Sequence, residues 1–294
     1  MSNYLQKSKQ YKGFHYAVLP QESFDYLHGR TVEIFKQIKE VFEKNNIFYM
    51  VCGGTLLGAV TTGRFIPWDD DFDVCIFEKD YDRAIDLLID KIPKDILVQC
   101  NKTEPRYFHG WVKVRDVNSK VMPVTESYNN NGVWVDLYKL TSAEQKEVEY
   151  KIAKEHLAYL KRRLKVKDIT KAGYKKRLKE NCVYNRIFKN YISLLFSKNK
   201  EEVYIIWLAS KIVLKKEWVL PLKEYTFEDM KVTSFNSAEN YLTAHYGKDF
   251  AKLLDEDLLR IGINNLKIIG EIQKYSKNCI PLFIRTKNGC CRIA

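Results

Sequence analysis

Four aspartates, Asp69, Asp70, Asp71 and Asp73, stand within five positions, running into the apolar alternation Phe72 to Phe77 (FDVCIF). Residues two apart on a strand share a face. Asp71, Asp73 and Cys75 therefore project one way, and Phe72, Val74 and Ile76 the other. Two carboxylates at one point repel unless a cation lies between them. Mg²⁺ takes such oxygen ligands and keeps positions for phosphate. Acidic residues also line ordinary loops, but four this close, fixed between Trp68 and an apolar strand, point to a metal site. Just upstream, residues 47–52 (IFYMVC) read as a short buried strand ending at Gly53-Gly54-Thr55, and 55–61 as a short helix. Glycines at a strand end let a backbone approach phosphate, and free N–H groups at a helix start bind the anion. The Thr55 hydroxyl would add a hydrogen bond. Gly-Gly alone is more often just a turn. A third carboxylate completes a typical Mg²⁺ cluster, and Asp136 is the best candidate, because a charge in the apolar run Gly132 to Leu137 (GVWVDL) needs a partner. The alternative is an ion pair with an arginine such as Arg115.

The rest of the first half mixes helix and strand patterns. Residues 31–45 have helical spacing, with apolar groups at Val32, Ile34, Phe35, Ile38, Val41 and Phe42. Residues 80–92 read as a helix stopped by Pro93, and 111–115, 120–124 and 133–138 as strands. After Thr141 the helical pattern dominates, with Ser142 as a cap and Glu144 in the first turn. The expected organisation is an α+β mixed-sheet core over 1–140. A mostly helical, basic region over 141–294 packs on it.

Charge follows the same division. The chain has 294 residues and a formal net charge of +12. Residues 1–140 hold 18 Lys+Arg and 19 Asp+Glu, whereas 141–294 hold 31 and 18. Residues 151–189 alone carry 14 basic residues against Glu155, Asp168 and Glu180. A basic surface of this kind suits a phosphate-bearing partner, or is simply a solvated face. The ordinary share of hydrophobic residues, 46%, excludes a wholly disordered or collagen-like chain. The longest apolar run, 203–214, is too short to span a bilayer and contains Lys211. Seven scattered cysteines without a Cys-x-x-Cys pair argue for reduced thiols and against a zinc site. The five histidines, His15, His28, His109, His156 and His245, lack metal-ligand spacing. Together with the absence of a secretory pattern at the N-terminus, these features suggest a cytoplasmic protein.

The stretch GGTLLGAVTTGRFIPWDDDFDV resembles the LicD family, whose relatives include the fukutin-type transferases. Lys113-Val114-Arg115, NGVWVDLYKL at 131–140 and a looser block at 225–250 (YTFEDMKVTSFNSAENYLTAHYGKDF) extend the likeness. In the last block Ser234-Phe235-Asn236 stands where the family tends to show proline. Thr61-Thr62 replaces the usual Arg-His, with Arg64 shifted to just after Gly63. The resemblance implies a nucleotidyltransferase-like mixed sheet with flanking helices. It also implies transfer of a phospho-substituent, phosphocholine or similar, from a CDP-linked donor to a glycan or cell-surface polymer hydroxyl, with CMP released.

On that reading Asp71, Asp73 and Asp136 are catalytic and hold Mg²⁺ or Mn²⁺, with Asp69 a further candidate ligand and Asp136 alternatively a base. Gly53, Gly54, Thr55, Arg64, Trp68, Lys113 and Arg115 are expected to bind substrate. Lys113 and Arg115 share one strand face and would steady the leaving cytidylate, or would mark an exposed strand edge. Trp111, Trp134, Tyr107 and Phe108 offer aromatic faces for a quaternary ammonium. Expected partners are the CDP-linked donor, a glycan or lipid-linked glycan acceptor and, through the basic helices, the inner face of a membrane, with nucleic acid a minor option. The apolar face at Ile187, Phe188, Tyr191, Ile192, Leu194 and Leu195 is expected to pack against another helix. Cys290-Cys291 would suit palmitoylation. Two rivals remain: a conventional nucleotidyltransferase releasing pyrophosphate, and a non-catalytic basic binding module.

Overall fold

A computed structural model describes residues 9–11, 14–16, 21–66, 69, 71–122, 130–207, 211–248, 250 and 280–283. After a short hairpin of β1 (Lys9–Tyr11) and β2 (Phe14–Tyr16), α1 runs over Gln21–Lys44. Leu27, Ile34, Phe35, Ile38 and Phe42 recur at three- and four-residue spacing and are fully buried. That apolar stripe docks α1 on a mixed sheet. β3 (Tyr49–Val51) leads through Cys52 into α2 (Gly53–Thr61), and β4 (Phe72–Phe77) is followed by α3 (Glu78–Lys91). In α3, Tyr81, Ala84, Ile85 and Leu88 form the buried stripe, and acidic Glu78 and Asp80 sit in the first turn, where the helix dipole favours them. β5 (Ile96–Gln99), which the periodicity did not reveal, pairs with β6 (Val112–Asp116). β7 (Ser119–Met122) pairs with β13 (Ile280–Phe283).

The long strand β8 (Trp134–Glu144) organises the sheet. On one edge it pairs in parallel with β4, and β4 pairs antiparallel with β3. Its other edge is shared. The first half pairs with β6, and the second half with β9 (Glu202–Trp207), which β10 (Lys211–Lys215) extends. β4 is buried along almost its whole length, because both faces of the sheet are covered.

The sheet does not stop at residue 140. Thr141, Ser142 and Ala143 continue β8 and pair with Ile205, Tyr204 and Val203. Ser142 is therefore a strand residue bonded to Glu202, at 2.9 Å, and not a helix cap. The helix α4 (Val148–Lys165) begins only after a single turn at Gln145–Glu147. α5 (Lys171–Glu180) and α6 (Val183–Phe196) follow and make up the basic helical part. The apolar run at 203–214 supplies β9 and β10, so the second half completes the core sheet as well as packing on it.

Beyond it, α7 (Lys216–Val219), the hairpin of β11 (Lys223–Phe227) and β12 (Met230–Ser234), and α8 (Ala238–Tyr246) return to the first half. Thr233 and Ser234 donate their hydroxyls to the carbonyls of Tyr49 and Val51, at 2.6 and 2.5 Å. Phe227 meets Phe65 and Phe72 edge to face. The hairpin thus caps the edge that β3 would otherwise expose.

Candidate active site

Strand register builds the site. Asp73 on β4 lies opposite Asp136 on β8, and Asp136 lies opposite Lys113 on β6. Asp71 stands just before β4, two residues from Asp73. One carboxylate oxygen from each of Asp71, Asp73 and Asp136 lies within 4.8 Å of the others. Asp73 and Asp136 are buried, at 9% and 3% exposure, which makes like charges at this separation costly without a cation. Three hard carboxylate donors suit Mg²⁺ or Mn²⁺ better than a softer metal. The residues present therefore fit a divalent cation.

Asp136 is the most constrained of the three. Lys113 Nζ donates to both of its oxygens at 2.8 Å. The Trp134 indole N–H and the Tyr138 hydroxyl donate to Oδ2 at 3.0 and 3.2 Å. Trp134 and Tyr138 flank Asp136 at i−2 and i+2, on its own face of the strand. Burial raises the Tyr138 phenol well above its ordinary pKa, and Asp136, Asp73 and Asp71 raise it further, so it stays a protonated donor.

The Gly-Gly-Thr turn is shaped around the same centre. Gly53 has φ +56°, and a Cβ there would lie 1.9 Å from Asp73 Oδ2. A Cβ on Gly54 would lie 2.2 Å from Asp69 Oδ2. Both positions are cradles that only glycine leaves open. The Gly53 N–H donates to the Tyr241 hydroxyl at 2.7 Å, which ties α8 to the turn. Thr55, expected to meet phosphate, is buried, and its Oγ1 instead accepts the Asp73 backbone N–H at 2.9 Å. It positions β4 against α2.

The remaining expected residues separate. Lys113 and Arg115 share a face, but β6 lies between β5 and β8, so this is no exposed edge. Arg115 is buried, and donates to Gln99 Oε1 at 2.7 Å and to the Gly132 carbonyl at 2.6 Å. It therefore braces the strand start before Asp136. The ion-pair partner of Asp136 is Lys113. Arg64 borders a cavity of about 600 Å³ beside His28, Lys36 and Glu228, which none of the three aspartates lines. Trp68 and Asp70 lie outside the described residues, as do Cys279, Cys290 and Cys291.

Aromatic groups form a chain beside the centre: His109 stands between Phe108, at 4.5 Å, and Trp111, at 4.4 Å. The Trp134 ring carries Lys113 Nζ at 4.3 Å and the Arg115 guanidinium at 5.0 Å. Tyr107 and Phe108 are buried against Tyr159 and Val166. Trp111 faces Tyr138, with ring centroids 5.7 Å apart.

Three contributors went unrecognised. Tyr138 lay within the quoted motif, and its i+2 spacing from Asp136 was the signal that would have found it. Tyr246 feels Asp69 and Asp73, which raise its pKa beyond the larger effect of burial. His28 donates Nε2–H to the Asp69 carbonyl at 2.9 Å and stacks on Phe65 at 4.2 Å. Burial lowers its pKa and keeps it neutral for that role. Tyr246 stands in the 225–250 block that resembles the family, whereas His28 carries no local sequence signal, because tertiary packing alone brings it to the segment.

Residues 46–169 match the family model described as LicD/FKTN/FKRP, nucleotidyltransferase domain. The lipopolysaccharide cholinephosphotransferase LicD of Haemophilus influenzae is 26% identical over 243 residues, covering 73% of this chain and 86% of that protein. Uncharacterized proteins of Rickettsia prowazekii and Rickettsia typhi are each 46% identical over 48 residues, which is 16% of this chain and 18% and 16% of theirs. The matched stretch spans the Gly-Gly-Thr turn, β4 and the Asp136 strand, and over it the chain is similar to the LicD family.

Proposed function

We propose that this chain is a divalent-cation-dependent transferase. It moves phosphocholine, or a similar phospho-substituent, from a CDP-linked donor to a hydroxyl of a glycan or cell-surface polymer. The observation that carries this reading is the convergence of Asp71, Asp73 and Asp136, in a chain similar to a lipopolysaccharide cholinephosphotransferase.

The acceptor oxygen attacks the phosphorus that bears the choline ester, and the bond from that phosphorus to CMP breaks. CMP departs with the electron pair, and the hydroxyl proton passes to water. Such transfers depend on in-line positioning and on neutralising charge around the moving phosphoryl group. A Mg²⁺ or Mn²⁺ ion held by Asp71, Asp73 and Asp136 would supply that neutralisation at the donor diphosphate. Asp136 is assigned as a ligand, with Lys113, Trp134 and Tyr138 orienting its carboxylate. Gly53 and Gly54 leave room for the Asp73 and Asp69 carboxylates beside the start of α2, so the glycines seat the acidic centre against the positive end of that helix. Lys113 adds a positive charge close to the same point. Trp111 and Tyr138 give the transferred group an apolar wall.

Product analysis tests the proposal. Incubation with CDP-choline, Mg²⁺ and a glycan acceptor should release CMP and add the mass of phosphocholine to the acceptor. Pyrophosphate release from a nucleoside triphosphate, with nucleotide left on the acceptor, would establish the conventional nucleotidyltransferase instead. Turnover with neither substrate set would leave only a binding module.

A further inference from the structure

Of the apolar face of α6 expected to pack against another helix, Ile187 and Leu194 are half-buried, whereas Phe188, Tyr191, Ile192 and Leu195 are exposed. Phe188 is 68% exposed and Phe196 79%, and Tyr184, Tyr191, Ile192 and Leu195 are exposed with them. These six fall at i, i+4, i+7, i+8, i+11 and i+12, a single stripe along the helix. The opposite side anchors α6, and within the stripe Tyr191 also meets Tyr150 of α4, with ring centroids 5.8 Å apart. Val183 is buried, and Asn190 donates to the Glu149 carbonyl of α4 at 3.0 Å.

Charge borders the stripe. Lys189 is exposed next to Phe188. The Tyr174 side chain of α5 shares a hydrogen bond with Tyr184, which brings α5 beside the start of the stripe. Lys171 and Arg177 lie three residues on either side of Tyr174, on that same face of α5, and both are exposed. Aromatic and aliphatic groups along one face, flanked by lysine and arginine, suit the headgroup boundary of an anionic bilayer: rings and aliphatics enter the interface, and cations meet phosphates. Among the described residues no helix is long and apolar enough to cross a membrane, so the contact is in-plane.

We propose that α6, with the adjoining face of α5, docks this chain on an anionic lipid surface. The inference rests on exposure and charge and stands apart from the transferase reading. α4 links the two regions: it carries α6, and its Arg162 donates to the Phe108 carbonyl at 3.1 Å, in the loop that leads to Trp111 and Lys113. Docking would hold the catalytic centre near acceptors anchored in the same membrane.

Vesicle sedimentation of the full chain tests this. Wild-type protein should sediment with phosphatidylglycerol-containing vesicles and not with phosphatidylcholine alone, and should release as salt rises. Replacing Phe188, Leu195 and Phe196 together with Ser should lower the partition coefficient by about 100-fold, since three interfacial apolar groups are lost. Lys171→Glu with Arg177→Glu should weaken binding to anionic vesicles at low salt. All five side chains are exposed, and unchanged circular dichroism and thermal midpoints would show intact folds. Wild-type indifference to anionic vesicles would overturn the proposal, as would undiminished binding by the triple Ser variant. If the wild type ignores vesicles and the triple Ser variant turns a dimer into a monomer, the face belongs to a second copy and the proposal fails.

Discussion

Gly53→Ala is the smallest change that should disable the site. The new Cβ would lie 1.9 Å from Asp73 Oδ2, whereas ordinary contact begins at 3.4 Å. Asp73 must therefore retreat by about 1.5 Å, or the turn must move by as much. The φ of +56° adds a backbone cost of about 1–2 kcal/mol for a residue that carries a Cβ. A misplacement of ~1 Å at a reacting centre costs on the order of 100-fold in rate. CMP release at saturating donor and Mg²⁺ should fall at least that far, while urea denaturation registers the backbone cost together with about 1–3 kcal/mol for the overpacking. Gly29→Ala is the matched control. It lies within α1 with nothing within 4 Å of its would-be Cβ, so it should leave the rate unchanged. A folded Gly53→Ala protein turning over at the wild-type rate would refute the idea that this glycine exists to seat Asp73.

Lys113→Met removes the ammonium from a buried pair and should cost about 3–5 kcal/mol in urea denaturation without metal. Added Mg²⁺ should restore more stability to that variant than to the wild type, because binding to the native state is linked to folding. Tyr241→Phe leaves the Gly53 N–H without its acceptor and should cost about 1–3 kcal/mol, read as a lower denaturation midpoint. His245 is pushed down to about 4 by burial, and no hydrogen-bond partner reaches its Nδ1 among the described residues. The unfolded chain thus binds the extra proton first. Stability should be full above about pH 6.5 and fall by about 3 kcal/mol as pH drops towards 4. His245→Phe should flatten that slope in denaturation series across the same range, leaving the contributions of His28 and His156, which burial also lowers.

The acidic run and the Gly-Gly-Thr turn were legible because their signals are local. Strand alternation puts Asp71 and Asp73 on one side, and a charge at Asp136 inside an apolar strand demands a partner. Lys113 as that partner was not legible, since the choice between Lys113 and Arg115 depends on the β6–β8 register. Thr55 is ambiguous for a related reason. A hydroxyl at a helix start suits a phosphate or a neighbouring strand equally well, and only the packing of α2 on β4 assigns it to the Asp73 N–H. Ser142 looked like a cap because the strand before it runs past its apolar stretch, held by pairing with β9, some 60 residues later in the chain. α6 failed in the opposite sense. Its apolar periodicity was read correctly as a helix face, but periodicity does not say whether that face meets protein or something else.

The central claim is that Asp71, Asp73 and Asp136 together operate a cation-dependent transfer. Its most direct test is CMP release from CDP-choline by Asp71→Asn with Asp73→Asn, measured against wild type across a Mg²⁺ titration. The wild type should require Mg²⁺. The double variant should be folded and inactive at every Mg²⁺ concentration. Metal-independent release by the wild type, or an unchanged rate in the double variant, would contradict the claim.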